Sequence, residues 1–222
     1  MSQNLKIKKY LNRYTSLPFL LDILQNATLT LVDPKSWEDK NDIFFMELYK
    51  EHSGYKSVLA LCFCGWNNYD AEKYHVWKTY SGSTSGVCIQ FESDKLISYL
   101  NPFKEIRYRM VEYLTIKKLR EKWKEKSLED LPFMKRLAYN CDSEFRIIYR
   151  TNNLEECLFH LPIKLDCISK ITLNPWILEP VDESVKNFIH KIKEYEHIKL
   201  VNTTLLEYAD WKKYGDKIAK ET

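Results

Sequence analysis

Three short stretches of this 222-residue sequence combine side chains that do chemistry together. Arg13-Tyr14-Thr15-Ser16 sets a cation and two hydroxyls where an extended segment meets a helix start marked by Leu17-Pro18. Free N–H groups at a helix N-terminus beside a guanidinium suit an anion such as phosphate. The competing reading is a helix cap with a surface arginine. The second stretch, Trp77 to Phe91, reads WKTYSGSTSGVCIQF. Trp77 and Tyr80 share one face of a helical turn and could stack on a flat ring, while Ser81, Ser83, Thr84 and Ser85 offer hydroxyls. The alternative makes the rings core and the serines a solvated turn. The third is Ser143-Glu144-Phe145-Arg146, an acid at the mouth of an apolar strand, where a carboxylate can be held rigidly beside a low-dielectric cleft. Its alternative is an edge ion pair of Asp142 or Glu144 with Arg146, of small energetic value.

Other chemistries lack their residues. The five histidines make neither H-E-x-x-H nor a close pairing with cysteine at zinc spacing, so no metal site is expected. The glycine patterns of P-loop and dinucleotide-binding folds are absent, as is a G-x-S-x-G nucleophile elbow. The six cysteines include Cys62-x-Cys64 but no C-x-x-C and read as reduced, mostly buried thiols of a cytosolic protein.

The elements that must position these residues follow from periodicity and turn signals. Leu5 to Tyr14 is extended, and a helix runs from Ser16 to near Asn26. TLTLV at Thr28–Val32 alternates as a strand, and the acidic loop SWEDKND follows. Helices are expected at Phe44 to Glu51, Ala71 to Tyr80, Asp94 to Leu100, Thr115 to Lys126, Leu128 to Tyr139 and Glu183 to Tyr195. Strands are expected at Ser57 to Phe63, Val87 to Phe91, Ile106 to Tyr113, Phe145 to Tyr149, Cys157 to Ile163, Ile168 to Leu173 and Ile198 to Leu205, before a frayed polar tail. Interspersed helices and strands make the class α+β. One domain over residues 1–222 is expected, with a helical insertion at about 114–140.

Composition agrees with a folded globular chain: 45% hydrophobic, 29% charged and 14% aromatic. A net charge of +3 is too small to argue for nucleic acid by itself. No apolar run is long enough to cross a membrane, and MSQNLKIKKYLNRY lacks the apolar core of a signal peptide.

Taken in order, the motifs resemble an uncharacterised bacterial domain family. The likeness runs through Arg13 to Leu17, Ile23-Leu24 and Leu29, Cys62-Phe63-Cys64, W-x-x-Y at Trp77 and Tyr80, G-V-C-I-x-F at Gly86 to Phe91, Glu144-x-Arg146, and Ile168, Ile171 and Pro175, and the Pro34 to Asp42 loop departs from the family pattern by lacking its Pro after Asp. Only the G-V-C-I-x-F block is specific by itself. More distantly, a basic residue, then a central Tyr/Ser element, then a late Glu resembles the layout of ADP-ribosyltransferases. That resemblance implies a split antiparallel β-sheet core flanked by helices, with NAD as co-substrate. It implies that Arg13 and Thr15 hold NAD, that Trp77, Tyr80 and Ser81 line the nicotinamide side, and that Glu144 is catalytic. It also implies a toxin or phage-defence effector that modifies nucleic acid or protein. Asp142 departs from the acid pattern of arginine-directed members.

The alternative is a non-enzymatic nucleic-acid- or nucleotide-binding module. Lys117, Lys118, Arg120, Lys122, Lys124 and Lys126, interleaved with Trp123, could grip phosphates, although such a run is commonly a solvated helix face. A nuclease built on Asp33, Glu38, Asp39 and Asp42 lacks the partner lysine arrangement.

Overall fold

The fold was analysed in a computed structural model that describes residues 6–65, 73–82, 84–153 and 157–221. The chain runs β1 (Tyr10–Ser16), α1 (Leu17–Asn26), β2 (Thr28–Val32), α2 (Lys40–Ser53), β3 (Ser57–Cys64), α3 (Tyr74–Tyr80), β4 (Gly86–Glu92), α4 (Ser93–Leu100), β5 (Ile106–Met110) and β6 (Glu112–Leu114). It continues with α5 (Ile116–Lys122), β7 (Met134–Arg136), β8 (Glu144–Thr151), β9 (Leu158–Pro162), β10 (Ile168–Leu173), α6 (Glu179–His190), β11 (Lys199–Asn202) and α7 (Ala209–Glu221). Local chemistry sets the boundaries. Extended Ser16 and Pro18 open α1, and Ala27 at φ 50° closes it by giving its N–H to the Ile23 carbonyl. The Asp39 carboxylate caps α2 by accepting from Asn41 N at 3.0 Å.

The architecture is α+β: a nine-stranded, mostly antiparallel sheet flanked by helices, plus the short parallel pair β6–β7. Strand β3 is the hub. One of its edges pairs with β8 from Ser57↔Thr151 to Cys64↔Glu144, and β8 passes on to β5. The opposite edge is shared. Strand β1 meets it at Asn12↔Cys64 and β2 at Val32↔Ala60, so the sheet divides between those two pairs. Beyond the division, β1 continues to β4, β10 and β11, and β2 to β9.

Strand alternation sends successive side chains to opposite faces. Leu59, Leu61 and Phe63 of β3 join Phe145, Ile147 and Tyr149 of β8 and Val87, Ile89 and Phe91 of β4 in the large core, together with α1 and α4 residues. The other face carries two smaller clusters. Val58, Ala60 and Ile148 pack with Met46 and Tyr49 of α2, while Cys64 and Cys88 pack with Tyr14, Val76 and Trp77. On β3, Cys62 lies between these two clusters.

Several elements differ from expectation. Leu128–Phe133 and Leu137–Asp142 are 3-10 turns separated by β7, because Pro132 denies the chain a continuous α-helix. The stretch at 114–140 is therefore not purely helical. The expected strand over Ile106 to Tyr113 breaks at Val111, whose N–H turns to the Glu144 carbonyl at 2.8 Å. Trp123 is 60% exposed. The tail forms α7, with Trp211, Tyr214 and Ile218 exposed along it. The expected helix start at Ala71, and Ser83, lie outside the described residues. No helix among the described residues is long and apolar enough to cross a membrane.

Candidate active site

Glu144 and Arg146 occupy alternate positions of β8, on the face that carries the two small clusters. Both are buried: Arg146 is 0% exposed and Glu144 4%. The Arg146 Nε donates to Glu144 Oε1 at 2.7 Å, and its two terminal nitrogens donate to the two oxygens of Asp42, each at 2.7 Å. Nη1 also donates to the Pro132 carbonyl at 2.8 Å, and the guanidinium lies 4.8 Å from the centre of the Trp37 ring. This is a bidentate buried pairing and not the edge ion pair of the alternative reading.

Lys135 of β7 completes the cluster. Its Nζ lies 3.1 Å from Glu144 Oε2, 3.7 Å from Asp42 and 3.9 Å from Asp142. Burial by itself would raise the pKa of Glu144. Arg146 and Lys135 overcome it and lower the carboxyl from 4.5 to about 2, so Glu144 is an anion at neutral pH. Burial opposes the charge of Lys135, but Glu144 and Asp42 push its pKa up on balance.

Arg13 is placed differently. Where the sheet divides, the Cys62 carbonyl needs a donor, and Arg13 Nη1 supplies one at 3.0 Å. Among the described residues Arg13 has no carboxylate partner, and burial lowers its pKa where that of Arg146 is raised. It remains a cation at neutral pH. Cys62 sits in the same place with its thiol pKa pushed up by burial and then by Glu144, so it is not a ready nucleophile.

These groups line one cavity of about 600 Å³, within the usual range for small-molecule sites. Its walls include Arg13 and Asn12 from β1, Trp37 and Asp39 from the loop before α2, Tyr80 from α3, Lys135, and Asp142, Glu144 and Arg146. Tyr80 donates its hydroxyl to Asp142 Oδ2 at 2.9 Å; burial and then Asp142 push its pKa up. Tyr80 is 41% exposed.

Of the residues singled out in the sequence, Arg13, Tyr80 and Glu144 line this cavity. Thr15, Trp77 and Ser81 are not among its walls. Trp77 is 1% exposed and meets Tyr14 edge-on at 4.9 Å, so it is core and cannot stack on a ligand. Ser81 is buried, donates to the Trp77 carbonyl at 2.5 Å and accepts from Asn174 Nδ2 at 3.2 Å. Thr15 is buried in β1 opposite Val87. The glycine of G-V-C-I-x-F has a packing reason: a Cβ on Gly86 would stand 2.3 Å from Ser81 Cβ and 2.7 Å from its carbonyl oxygen. Asp42, Lys135 and Trp37 were not selected from sequence for this site. The only hint of Asp42 was the acidic loop, and Lys135 was hidden inside an expected helix.

No protein-family model and no curated protein sequence matches the chain, so the likeness to a bacterial domain family rests on its motifs. Among solved structures the chain is similar to DarT of Thermus sp. 2.9 in complex with NAD+, at 10% identity and a TM-score of 0.41, over 90% of this chain and 98% of that one. It is also similar to the same protein in complex with carba-NAD+, at 11% identity and a TM-score of 0.42, over 92% and 100%.

Proposed function

We propose that this protein is an NAD-dependent ADP-ribosyltransferase with Glu144 as its catalytic residue. The observation that carries the reading is that Arg13, Tyr80 and Glu144, drawn from three distant stretches, line one cavity. Asp42, Asp142 and Glu144 of the lining meet Lys135 and Arg146, while Arg13 has no carboxylate partner among the described residues. NAD carries a cationic nicotinamide ring and an anionic diphosphate. In this reading Arg13 pairs with the diphosphate and the Tyr80 ring covers the nicotinamide. Glu144 accepts from a ribose hydroxyl and stabilises positive charge at the anomeric carbon as neutral nicotinamide leaves with the bonding electrons. A carboxyl with a pKa of about 2 is a weak base, so its role is electrostatic and not proton abstraction.

The acceptor, a nucleic acid or a protein, belongs to the proposal, as do bacterial origin, a toxin or defence role and a cytoplasmic setting. The last is favoured by six free thiols. The test is nicotinamide release from NAD by purified protein, with calorimetry for binding. Release lost in Glu144→Gln and binding weakened in Arg13→Ala support the reading. Wild-type protein that binds no NAD at millimolar concentration overturns it.

A second reading has its own observation. Lys117, Lys118, Arg120, Lys122 and Lys124 are exposed, and Lys124 Nζ lies 5.5 Å from the ring centre of exposed Trp123. A cationic, aromatic surface of this kind suits single-stranded nucleic acid without turnover. Salt-dependent binding of an oligonucleotide by a protein inert toward NAD would favour it.

A further inference from the structure

Asp142 belongs to two neighbourhoods. One oxygen, Oδ2, accepts from Tyr80 in the cavity and lies near Lys135. The other, Oδ1, lies 3.6 Å from the thiol of Cys141. His75, on the first turn of α3, reaches the same place. One ligand atom each from His75, Cys141 and Asp142 lie within 4.8 Å of one another. His75 is distant in sequence from the adjacent Cys141 and Asp142, which is why spacing gave no sign of the site.

We propose that His75, Cys141 and Asp142 form a binding site for a zinc-like divalent cation. The donor set decides the class of metal. A thiolate, an imidazole and a carboxylate match the mixed ligands that zinc accepts, whereas magnesium and calcium require oxygen throughout. Metal–ligand bonds of about 2.0–2.3 Å put tetrahedral donors roughly 3.5 Å apart, so the ligands must close by about 1 Å. His75 is exposed and makes no hydrogen bond among the described residues, which leaves its ring free to turn. Three protein ligands leave the fourth position to water.

Binding exchanges the thiol proton of Cys141 for the metal and releases that proton to solvent. Burial and then Asp142 raise the pKa of this thiol, while Lys73, whose Nζ donates to the Cys141 carbonyl at 2.7 Å, works the other way. Tyr80 and Lys135 face Asp142 from the cavity side. Affinity therefore falls as pH falls. The bound ion ties the first turn of α3 to the Cys141-Asp142 turn, fixing both partners of the Tyr80–Asp142 bond.

The site stands independently of the NAD reading and is tested without it. Full-length protein, freed of metal by a chelator, is titrated with Co2+ and then with Zn2+. The expected result is a thiolate-to-cobalt charge-transfer band that saturates at one ion per chain and is displaced by zinc. The band is lost in Cys141→Ser and unchanged in Cys157→Ser, which removes an exposed thiol elsewhere. His75→Ala, a surface change that leaves folding intact, weakens binding by roughly tenfold or more. No band, a band that survives Cys141→Ser, or wild-type affinity in His75→Ala overturns the proposal.

Discussion

Replacing Glu144 by Gln neutralises a carboxyl that the fold holds as an anion, and the cost is readable as a function of pH. The carboxyl falls from its ordinary 4.5 to about 2 in the folded chain. At about 1.36 kcal/mol per pH unit, that preference contributes on the order of 3 kcal/mol at neutral pH. The sign follows from a depressed folded pKa. The contribution is complete above the unfolded value and is lost as pH falls through the folded one, so roughly 1.4 kcal/mol remains at pH 3. Glutamine can still accept from Arg146, but it turns an amide N–H2 or a neutral oxygen toward Lys135, which adds an offset that does not depend on pH. The assay is urea denaturation of wild type and Glu144→Gln from pH 7 to pH 3. The stability gap between them should narrow as acid is added. A gap that stays constant over this range refutes the argument that Arg146 and Lys135 depress the carboxyl. The same curves give the folded fraction, so a loss of nicotinamide release in this variant can be separated from a loss of protein.

Arg13→Ala removes the donor to the Cys62 carbonyl and a cation of the cavity wall; NAD affinity by calorimetry should fall by about 1.5–3 kcal/mol, and unchanged affinity removes Arg13 from the site. Trp77→Ala opens a hole in the Tyr14–Trp77 cluster and should cost about 3–5 kcal/mol in chemical denaturation. The protein that remains folded should bind NAD as wild type does, and a selective loss of binding would return Trp77 to the cavity wall. Gly86→Ala forces a Cβ against Ser81 and its carbonyl and should cost roughly 1–3 kcal/mol in the same measurement, with no change indicating that the turn yields.

Much of the fold was legible where pattern and burial agree. TLTLV and ISKITL alternate or run apolar between turn signals and occupy β2 and β10 at the expected bounds. Ser16, Pro18 and the apolar spacing behind them located α1. The region around β7 was not legible, because a three-residue strand between two 3-10 turns has no period of its own. Within the candidate site, the residue types of Arg13, Tyr80 and Glu144 were chemically suggestive before any contact was known. Asp42 and Lys135 became visible only through pairing, since α2 and β7 must pack against β8 before Asp42 meets Arg146 and Lys135 meets Glu144. Trp77 and Ser81 show the opposite limit. W-x-x-Y spacing brings two rings to neighbouring positions, but on a helix as short as α3 one ring turns inward to Tyr14 and the other stays at the rim. A polar or aromatic residue near a site is as often its support as its wall.

The division of the sheet along β3 has a consequence for cooperativity. Strands β3 and β8 share a continuous ladder from Ser57 to Cys64, whereas β1 joins β3 through Asn12↔Cys64 and β2 through Val32↔Ala60. Amide exchange should therefore resolve two units that open separately, one holding β1, β4 and β10 and the other holding β3, β5 and β8. The boundary between them runs along the cavity floor, from Ala60 to Cys64. A ligand that touches Arg13 on one unit and Glu144 on the other would couple their opening, and its arrival would register as slower exchange on both sides of that seam.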